Sequence, residues 1–304
     1  MKISSSNEWD KLKSIVVGSA THANWPSDDP VFAKEEAKTL WKETPVPSGP
    51  VPQWIIDEAN EDLNILADVL EQLDIEVYRP ARMNFVECNG MYNYCPRDRL
   101  IIAGDRVIDP AMLYPCRDQE IIALSSIINF ADKIISMPRD QGLILDAANV
   151  CRLNDTWLYL LSPSGNQAAA DWLQHQLPDI KIEVCNFYSG VHIDSTIAVL
   201  RDGFVVLNSS RVTPANCPKV FDGWTKLWIN DVVSQGFYQY PFASKWIGLN
   251  MLSIDPNTVI VDKNQIDLIK QLEGSKFTVI PLELRHSRTL GGGFHCVTLD
   301  LARI

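Results

Sequence analysis

Apolar and polar positions along this chain fall into short strand-like runs and longer helical ones, and the same order of the two keeps returning. Asp98-Arg-Leu-Ile-Ile, a turn at Gly104-Asp105 and Arg106-Val-Ile read as a hairpin, followed by a helix near Asp118 to Phe130 and the strand Lys133-Ile-Ile-Ser. Asp146-Ala-Ala-Asn-Val, a turn at Asn154-Asp155, Trp157-Leu-Tyr-Leu-Leu, a helix over Gln167 to Gln176 and Ile180-Lys-Ile-Glu-Val repeat the unit. A third begins with Asp194-Ser-Thr-Ile-Ala-Val, a turn at Asp202-Gly203 and Phe204-Val-Val-Leu, with its helix poorly marked. A fourth runs through Asn250-Met-Leu-Ser-Ile, a turn at Pro256-Asn257, Val259-Ile-Val, a helix over Gln265 to Leu272 and Phe277-Thr-Val-Ile. These units start at 98, 146, 194 and 250, and the next strand at Cys296, in steps of 48, 48, 56 and 46 residues.

A period of about 50 residues marks supersecondary units stacked against one another. The fifth start, at Cys296, has only one strand ahead of it. Its missing parts stand at the N-terminus: the strand Lys13 to Gly18, an amphipathic helix over Asn60 to Leu73 and the strand Ile75 to Tyr78. The pattern therefore predicts an α/β fold, one closed domain of five ββαβ units over residues 1–304, in which the two chain ends complete the fifth unit and leave no sheet edge open. Turns of the D-G, N-D and P-N type suit the tight hairpins this needs. Between the first strand and the first helix lies Ser19 to Gln53, rich in proline and ending in P-V-P-S-G-P-V-P. It is too long for an ordinary connection and predicts a lid, a binding loop or disorder. Trp25, Phe32, Trp41 and Trp54 favour a segment that packs down.

Composition narrows the picture. With 304 residues, 46% of them hydrophobic, the chain can bury a substantial core. Its longest apolar stretch, Ile121 to Ile135, is interrupted by Ser, Asn, Asp132 and Lys133 and predicts no membrane span. The N-terminus lacks the apolar core of a secretory signal. Seven cysteines without a C-x-x-C pair predict free thiols in a reducing cytoplasm. Net charge is −11 with no basic cluster, which argues against nucleic acid as a partner. Base rates for soluble enzymes predict a homodimer.

Chemistry enters with the residues that lead the five units: Asp98, Asp146, Asp194, Asn250 and Cys296. If the repeat closes, they meet at one end of a central channel. Three carboxylates and a thiol together are a costly packing solution and call for a cation. Strand alternation predicts His192 on the same face as Asp194, two residues on. The Gly291–Gly293 triplet before Phe294-His295-Cys296 lets something approach the main chain closely, and the run from Phe294 through Leu299 reads as a strand. On that strand His295 and Cys296 would point to opposite faces. No G-K-[ST] follows the triplet, no G-x-S-x-G occurs, and no metal or organic cofactor is implied. His22, His175 and His286 have no evident partners. A thiol, a histidine and several carboxylates suit attack on a planar cation such as a guanidinium, which carboxylates grip through paired N–H groups. That cation's charge would lower the thiol pKa, and a histidine would protonate the leaving amine.

L-G-G-G-F-H-C at 290–296, H-I-D-S-T at 192–196, L-D-A-A-N at 145–149, P-R-D at 96–98 and S-K-W-x-x-x-N at 244–250 resemble the arginine:glycine amidinotransferase family of the guanidino-group-modifying, or pentein, superfamily. The resemblance runs from about Glu8 to the C-terminus. It implies a five-bladed α/β propeller, in accord with the repeat. It also implies ping-pong transfer of an amidino group from L-arginine, through a covalent amidino-cysteine, to an amine acceptor. Carried over motif by motif, it makes Cys296 the nucleophile, His192 the general acid and base, and Asp146 the partner of His192 and of the guanidinium. Asp98 and Asp194 would hold the guanidinium, while Arg211 and Ser244 would bind the donor's carboxylate, a role resting on the resemblance alone. The chain departs from the family at Asn149, where the family has Asp. It is also shorter at the N-terminus and between Pro138 and Asp146, and it stops at Ile304 without the basic tail that commonly follows. Two alternatives stay open on the residues: a hydrolase that uses water in place of the amine, and a scaffold that only binds guanidines.

Overall fold

A computed structural model describes residues 2–26, 29–36, 45–188 and 190–304. Among these residues five three-stranded sheets carry the architecture, each with the same topology: an antiparallel hairpin whose second strand pairs in parallel with a third. The first joins Ile101–Ala103, Arg106–Asp109 and Lys133–Ser136, and the second joins Val150–Leu153, Thr156–Leu160 and Lys181–Cys185. Ile197–Arg201, Phe204–Asn208 and Thr225–Ile229 form the third. Leu252–Asp255, Thr258–Asp262 and Thr278–Leu282 form the fourth. In the fifth, the C-terminal strand Thr298–Arg303 pairs antiparallel with Leu12–Val17, which pairs in parallel with Glu76–Tyr78. The two ends of the chain thus share one sheet, as the interrupted fifth repeat predicts.

The middle strands read as near-continuous apolar runs because both their faces are covered; Phe204–Asn208 is buried at every position. Hairpin turns fall at Gly203, with φ +75°, and at Asn154, with φ +63°, residues that tolerate the left-handed region. At Pro256-Asn257 the side chain of Asp255 closes the turn instead, accepting the Asn257 N–H at 2.7 Å.

Packing closes the ring. Five apolar clusters form, each between successive units: Val107 and Leu124 meet Val16 and Leu299, and Ile108 meets Trp157 and Tyr159. Leu158 and Leu160 meet Val205 and Leu207, and Val206 meets Val259 and Val261. The last cluster sets Ile254 and Ile260 against Ile15 and the helix Gln53–Gln72. No unit buries its apolar faces alone; each completes its neighbour.

Local differences from the sequence reading have simple causes. The helix expected over Asn60 to Leu73 starts at Gln53, because Ile55, Ile56 and Ala59 extend the buried stripe of Leu63, Leu66 and Leu70 back to the cap at Pro52. The third unit has only a 3-10 turn, Lys219–Phe221, where the others have a helix, since Pro214, Pro218 and Gly223 break its connection. Within 19–53, Asn24–Trp25 pairs with Gly49–Pro50 and Pro30–Glu36 is helical. Trp25 and Phe32 are buried and stack on Phe242. Trp54 instead stays half exposed, edged against Tyr238 and His286, and Trp41 lies outside the described residues. No helix among the described residues is long and apolar enough to cross a membrane.

Candidate active site

The residue that leads each unit sits not on a strand but in the turn that feeds it. Asp98 lies in the helical turn Pro96–Arg99, Asp146 caps the 3-10 turn Ala147–Asn149, and Asn250 closes Lys245–Leu249. Asp194 and Cys296 lie in turns just ahead of Ile197–Arg201 and Thr298–Arg303. Strand alternation is therefore not what unites His192 with Asp194. A turn does it, with His192 held at φ +62° and the Ile193 N–H donating to the Ala148 carbonyl at 2.8 Å. Nor does a strand part His295 from Cys296. Both reach the same carboxylate oxygen, Asp194 Oδ2, His295 Nδ1 at 2.9 Å and Cys296 Sγ at 3.1 Å.

The glycine triplet explains how the sulfur gets there. Gly291 takes φ +84° and ends the helical turn Ser287–Leu290. A Cβ on Gly292 would lie 2.4 Å from Cys95 Sγ and 3.1 Å from Cys296 Cβ, and one on Gly293 would lie 2.7 Å from Asn250 Cβ. Only bare backbone fits. Asn250 then fixes the loop, its Oδ1 accepting the Cys296 N–H at 2.9 Å and its Nδ2 donating to the Asp194 carbonyl at 3.3 Å.

His192 stands between two acids. Its Nε2 is 3.2 Å from Asp146 Oδ2, and its Nδ1 is 3.7 Å from Asp98 Oδ1. Asp146 is aimed by the Leu113 N–H, which donates to its Oδ1 at 2.9 Å. Asp98 is held through Oδ2 by Arg117 Nη1 at 2.9 Å, and Arg117 is itself clamped at two points by Glu120. That leaves Asp98 Oδ1 buried without a hydrogen-bond partner among the described residues. Burial opposes the charge on His192, but Asp98, Asp146 and Asp194 outweigh it and carry the pKa up to about 9. Burial, reinforced by Asp194 and Asp98, pushes the Cys296 thiol well above its usual range. Asp194 moves the other way, to about 2, because His295, His192 and the thiol overcome its desolvation.

Asn149 earns its amide here. Fully buried, it donates through Nδ2 to the Asp146 and Ser164 carbonyls and to Ser164 Oγ, while its Oδ1 accepts from the His192 N–H at 3.2 Å. A carboxylate could accept but not donate. Arg211 and Ser244 also come together. The guanidinium lies 4.2 Å over the Tyr188 ring and donates to Thr196 Oγ1, Ser195 Oγ and Ser244 Oγ at 2.8, 3.2 and 3.4 Å. Among the described residues its hydrogen-bond partners are neutral hydroxyls, which leaves its charge available to an anion.

Of the seven residues singled out from the sequence, Asp194 thus contacts Cys296, His192 faces Asp146 and Asp98, and Arg211 meets Ser244. Sequence reasoning missed His295, Glu8 and Arg117. His295 was hidden by the expectation of a strand, and Glu8 is 287 residues away from the ring nitrogen it faces at 3.2 Å. Arg117 left one signal, its spacing of three from Glu120. His286 has a partner after all, Glu58 at 2.8 Å, and His22 bonds Arg82. Among the described residues no cluster of three or more His, Cys, Asp or Glu side chains could hold a metal ion.

Comparison with known proteins bears on what this arrangement does. No family model matches the chain. It is 38% identical over 336 residues to inosamine-phosphate amidinotransferase 1 of Streptomyces glaucescens, covering 99% of this chain and 97% of that protein. To the L-arginine:L-lysine amidinotransferase of Pseudomonas savastanoi pv. phaseolicola it is 27% identical, over 99% and 94% of the two chains. The solved inosamine-phosphate amidinotransferase from Streptomyces griseus superposes with a TM-score of 0.92 at 34% identity, covering 99% of this chain and 97% of that one.

Proposed function

The chain belongs to the amidinotransferase family, and from that premise we propose that it moves the amidino group of L-arginine to an amine acceptor through a covalent adduct on Cys296, releasing L-ornithine. One observation carries the reading: Cys296 Sγ sits beside Asp194 while Asp98 offers, next to His192, a buried carboxylate oxygen with no hydrogen bond among the described residues. A guanidinium supplies N–H donors in the paired geometry that such oxygens accept.

In this scheme Asp98 and Asp194 grip the guanidinium, and Arg211 with Ser244 takes the carboxylate at the other end of arginine. The incoming positive charge offsets the acids that hold the thiol proton, which leaves to solvent. Cys296 Sγ attacks the guanidinium carbon, and His192, an imidazolium at neutral pH because its pKa is raised to about 9, gives its proton to the departing nitrogen. The C–N bond breaks and ornithine leaves. The acceptor amine then attacks the amidino carbon, His192 takes the amine's proton back, and the sulfur departs. Asp146 holds the His192 ring in place for both steps. The partners are small molecules, with the acceptor defined here only as an amine.

Intact-protein mass spectrometry after brief exposure to arginine tests the scheme. The expected result is a gain of one amidino group on Cys296 and one equivalent of ornithine. A panel of amines then discharges the adduct, with an inosamine phosphate placed first because the relative at 38% identity carries that name. Sustained citrulline or urea from arginine alone would show that water, not an amine, is the acceptor. Absence of any adduct would overturn covalent transfer.

A further inference from the structure

One group beside the sulfur has no part in that scheme. His295, the residue just before Cys296, has both ring nitrogens on carboxylate oxygens: Nδ1 on Asp194 Oδ2 at 2.9 Å and Nε2 on Glu8 Oε2 at 3.2 Å. A carboxylate oxygen only accepts, and a neutral imidazole has a single N–H, so two such contacts are satisfied only when both nitrogens are protonated. Both acids are ionised in this setting. Glu8 is held there against its burial by a two-point contact from Arg152, Nε to Oε1 and Nη2 to Oε2, each at 2.9 Å. Asp194 is held ionised against its burial by His295 itself.

The Asp194 oxygen that accepts the His295 Nδ1–H also accepts the Cys296 S–H. Once the thiol ionises, a negative sulfur would face a negative oxygen about 3 Å away, a repulsion that burial strengthens by excluding water. An imidazolium on the same oxygen offsets it. We propose that His295 is a positioning residue for Asp194 and a fixed positive charge beside the Cys296 sulfur, a doubly protonated ring clamped between Asp194 and Glu8.

The charged groups facing this ring come from three elements. Asp194 lies in the turn before Ile197–Arg201, Glu8 in the N-terminal segment, and Arg97 in the helical turn Pro96–Arg99; Cys296 is its own neighbour. Burial and Arg97 oppose the proton, and the two carboxylates outweigh them, so the ring's pKa lies above the ordinary histidine value. A small cavity of about 20 Å³, lined by Glu8, Asp194, His295 and Ser253 among mostly apolar side chains, has room for roughly one water and little means of solvating a charge by itself. The ring's charge is therefore balanced by its two acids.

The inference rests on the reading of Cys296 as the nucleophile, but its first test does not. Nitrogen-15 spectra of histidine-labelled protein at pH 8, with the His295 signals identified by their loss in His295→Gln, are expected to show both nitrogens protonated. A neutral tautomer at that pH would overturn the proposal. The second test is alkylation of Cys296 by iodoacetamide at pH 8, read by peptide mass and needing no arginine. His295→Gln is expected to slow it about tenfold or more, on the scale at which a single preorganised donor acts. Imidazole added to His295→Gly is expected to restore part of the rate, rising with the fraction of imidazolium. Unchanged alkylation in a folded His295→Gln protein would leave the residue a merely structural role and defeat the proposal. If these results hold yet arginine forms no adduct, the amidino-cysteine reading fails while the role of His295 stands.

Discussion

Two buried charged clusters lie side by side in the middle of this protein, and they are balanced in opposite ways. Around Asp300, three arginines face two acids. Asp300 receives Arg152 at 2.7 Å and Arg303 at 3.0 Å, together with Arg97, and Arg152 also clamps Glu8. Around Cys296 the acids are in excess: Asp98, Asp146, Asp194 and Glu120 face Arg117 and the two histidines. The first cluster joins the N-terminal segment to the Thr298–Arg303 strand and the second unit, so its charges belong to the fold. The second retains an acid oxygen, Asp98 Oδ1, with no hydrogen bond among the described residues and only His192 Nδ1 at 3.7 Å, where the proposed scheme puts the substrate's cation. His295 touches both, through Glu8 and Asp194.

Four experiments sharpen or break that contrast. Replacing Cys296 by Ala should lower the arginine half-reaction by about four orders of magnitude or more, the scale seen when a covalent nucleophile is removed, with the unfolding midpoint close to wild type. Retained turnover would move the chemistry to another site. Replacing Arg152 by Met acts on the other cluster and strands Glu8 and Asp300 as buried, poorly paired acids. It should cost about 3–5 kcal/mol in urea unfolding. A loss within a few tenths of a kcal/mol would show that this cluster does not hold the fold.

The third experiment compares like substitutions in unlike places. Asp98→Asn removes one acid from the acid-rich side, whose pKa burial already raises against the pull of His192 and Arg117. It should weaken arginine kcat/KM about 10- to 100-fold, the worth of a hydrogen bond to a charged group, and leave stability unchanged or slightly raised. Asp300→Asn should do the reverse, lowering stability while its effect on arginine stays secondary. Equal stability losses from both would erase the distinction.

Much of this was legible from the chain alone, and what was not had a physical reason. The repeat is readable because each unit must present the same apolar faces to its neighbours, so Trp157, Val205 and Val261 recur at like places in the period. The spacing of Asp98, Asp146, Asp194, Asn250 and Cys296 carries the site for the same reason, since a repeated unit brings equivalent positions to one place. What spacing does not carry is the backbone just ahead of each strand. Period-2 reasoning treats 192–196 and 294–297 as strand, whereas positive φ at His192 and the close approach at Gly292 and Gly293 make them turns. That error left the His192–Asp194 pairing intact by coincidence and hid His295. The partners of Glu8 and Asp300 were out of reach altogether, because an ion pair across 148 residues, such as Arg152 with Asp300, leaves no periodic trace.

The test most diagnostic of how the acid-rich cluster works is the pH dependence of the arginine half-reaction. In the free protein the thiol keeps its proton, because burial, Asp194 and Asp98 disfavour the thiolate, and His192 keeps its own up to about 9. The proposed productive complex holds a thiolate and an imidazolium, so one proton must leave as arginine binds. kcat/KM, which reports the free protein, should therefore rise about tenfold per pH unit from 6 to 8 and flatten as His192 begins to titrate near 9. Binding arginine in weak buffer should release a proton from wild type and none from Cys296→Ala. The same protonation affects stability with a definite sign. His192 has a folded pKa above its ordinary 6.5, so its contribution is complete below 6.5 and is lost as pH rises through about 9. Activity should thus climb over the interval in which stability declines. A kcat/KM that is flat between pH 6 and 8 would mean the thiolate exists before arginine arrives, and the excess of acids around Cys296 would then need a reason other than waiting for the substrate's charge.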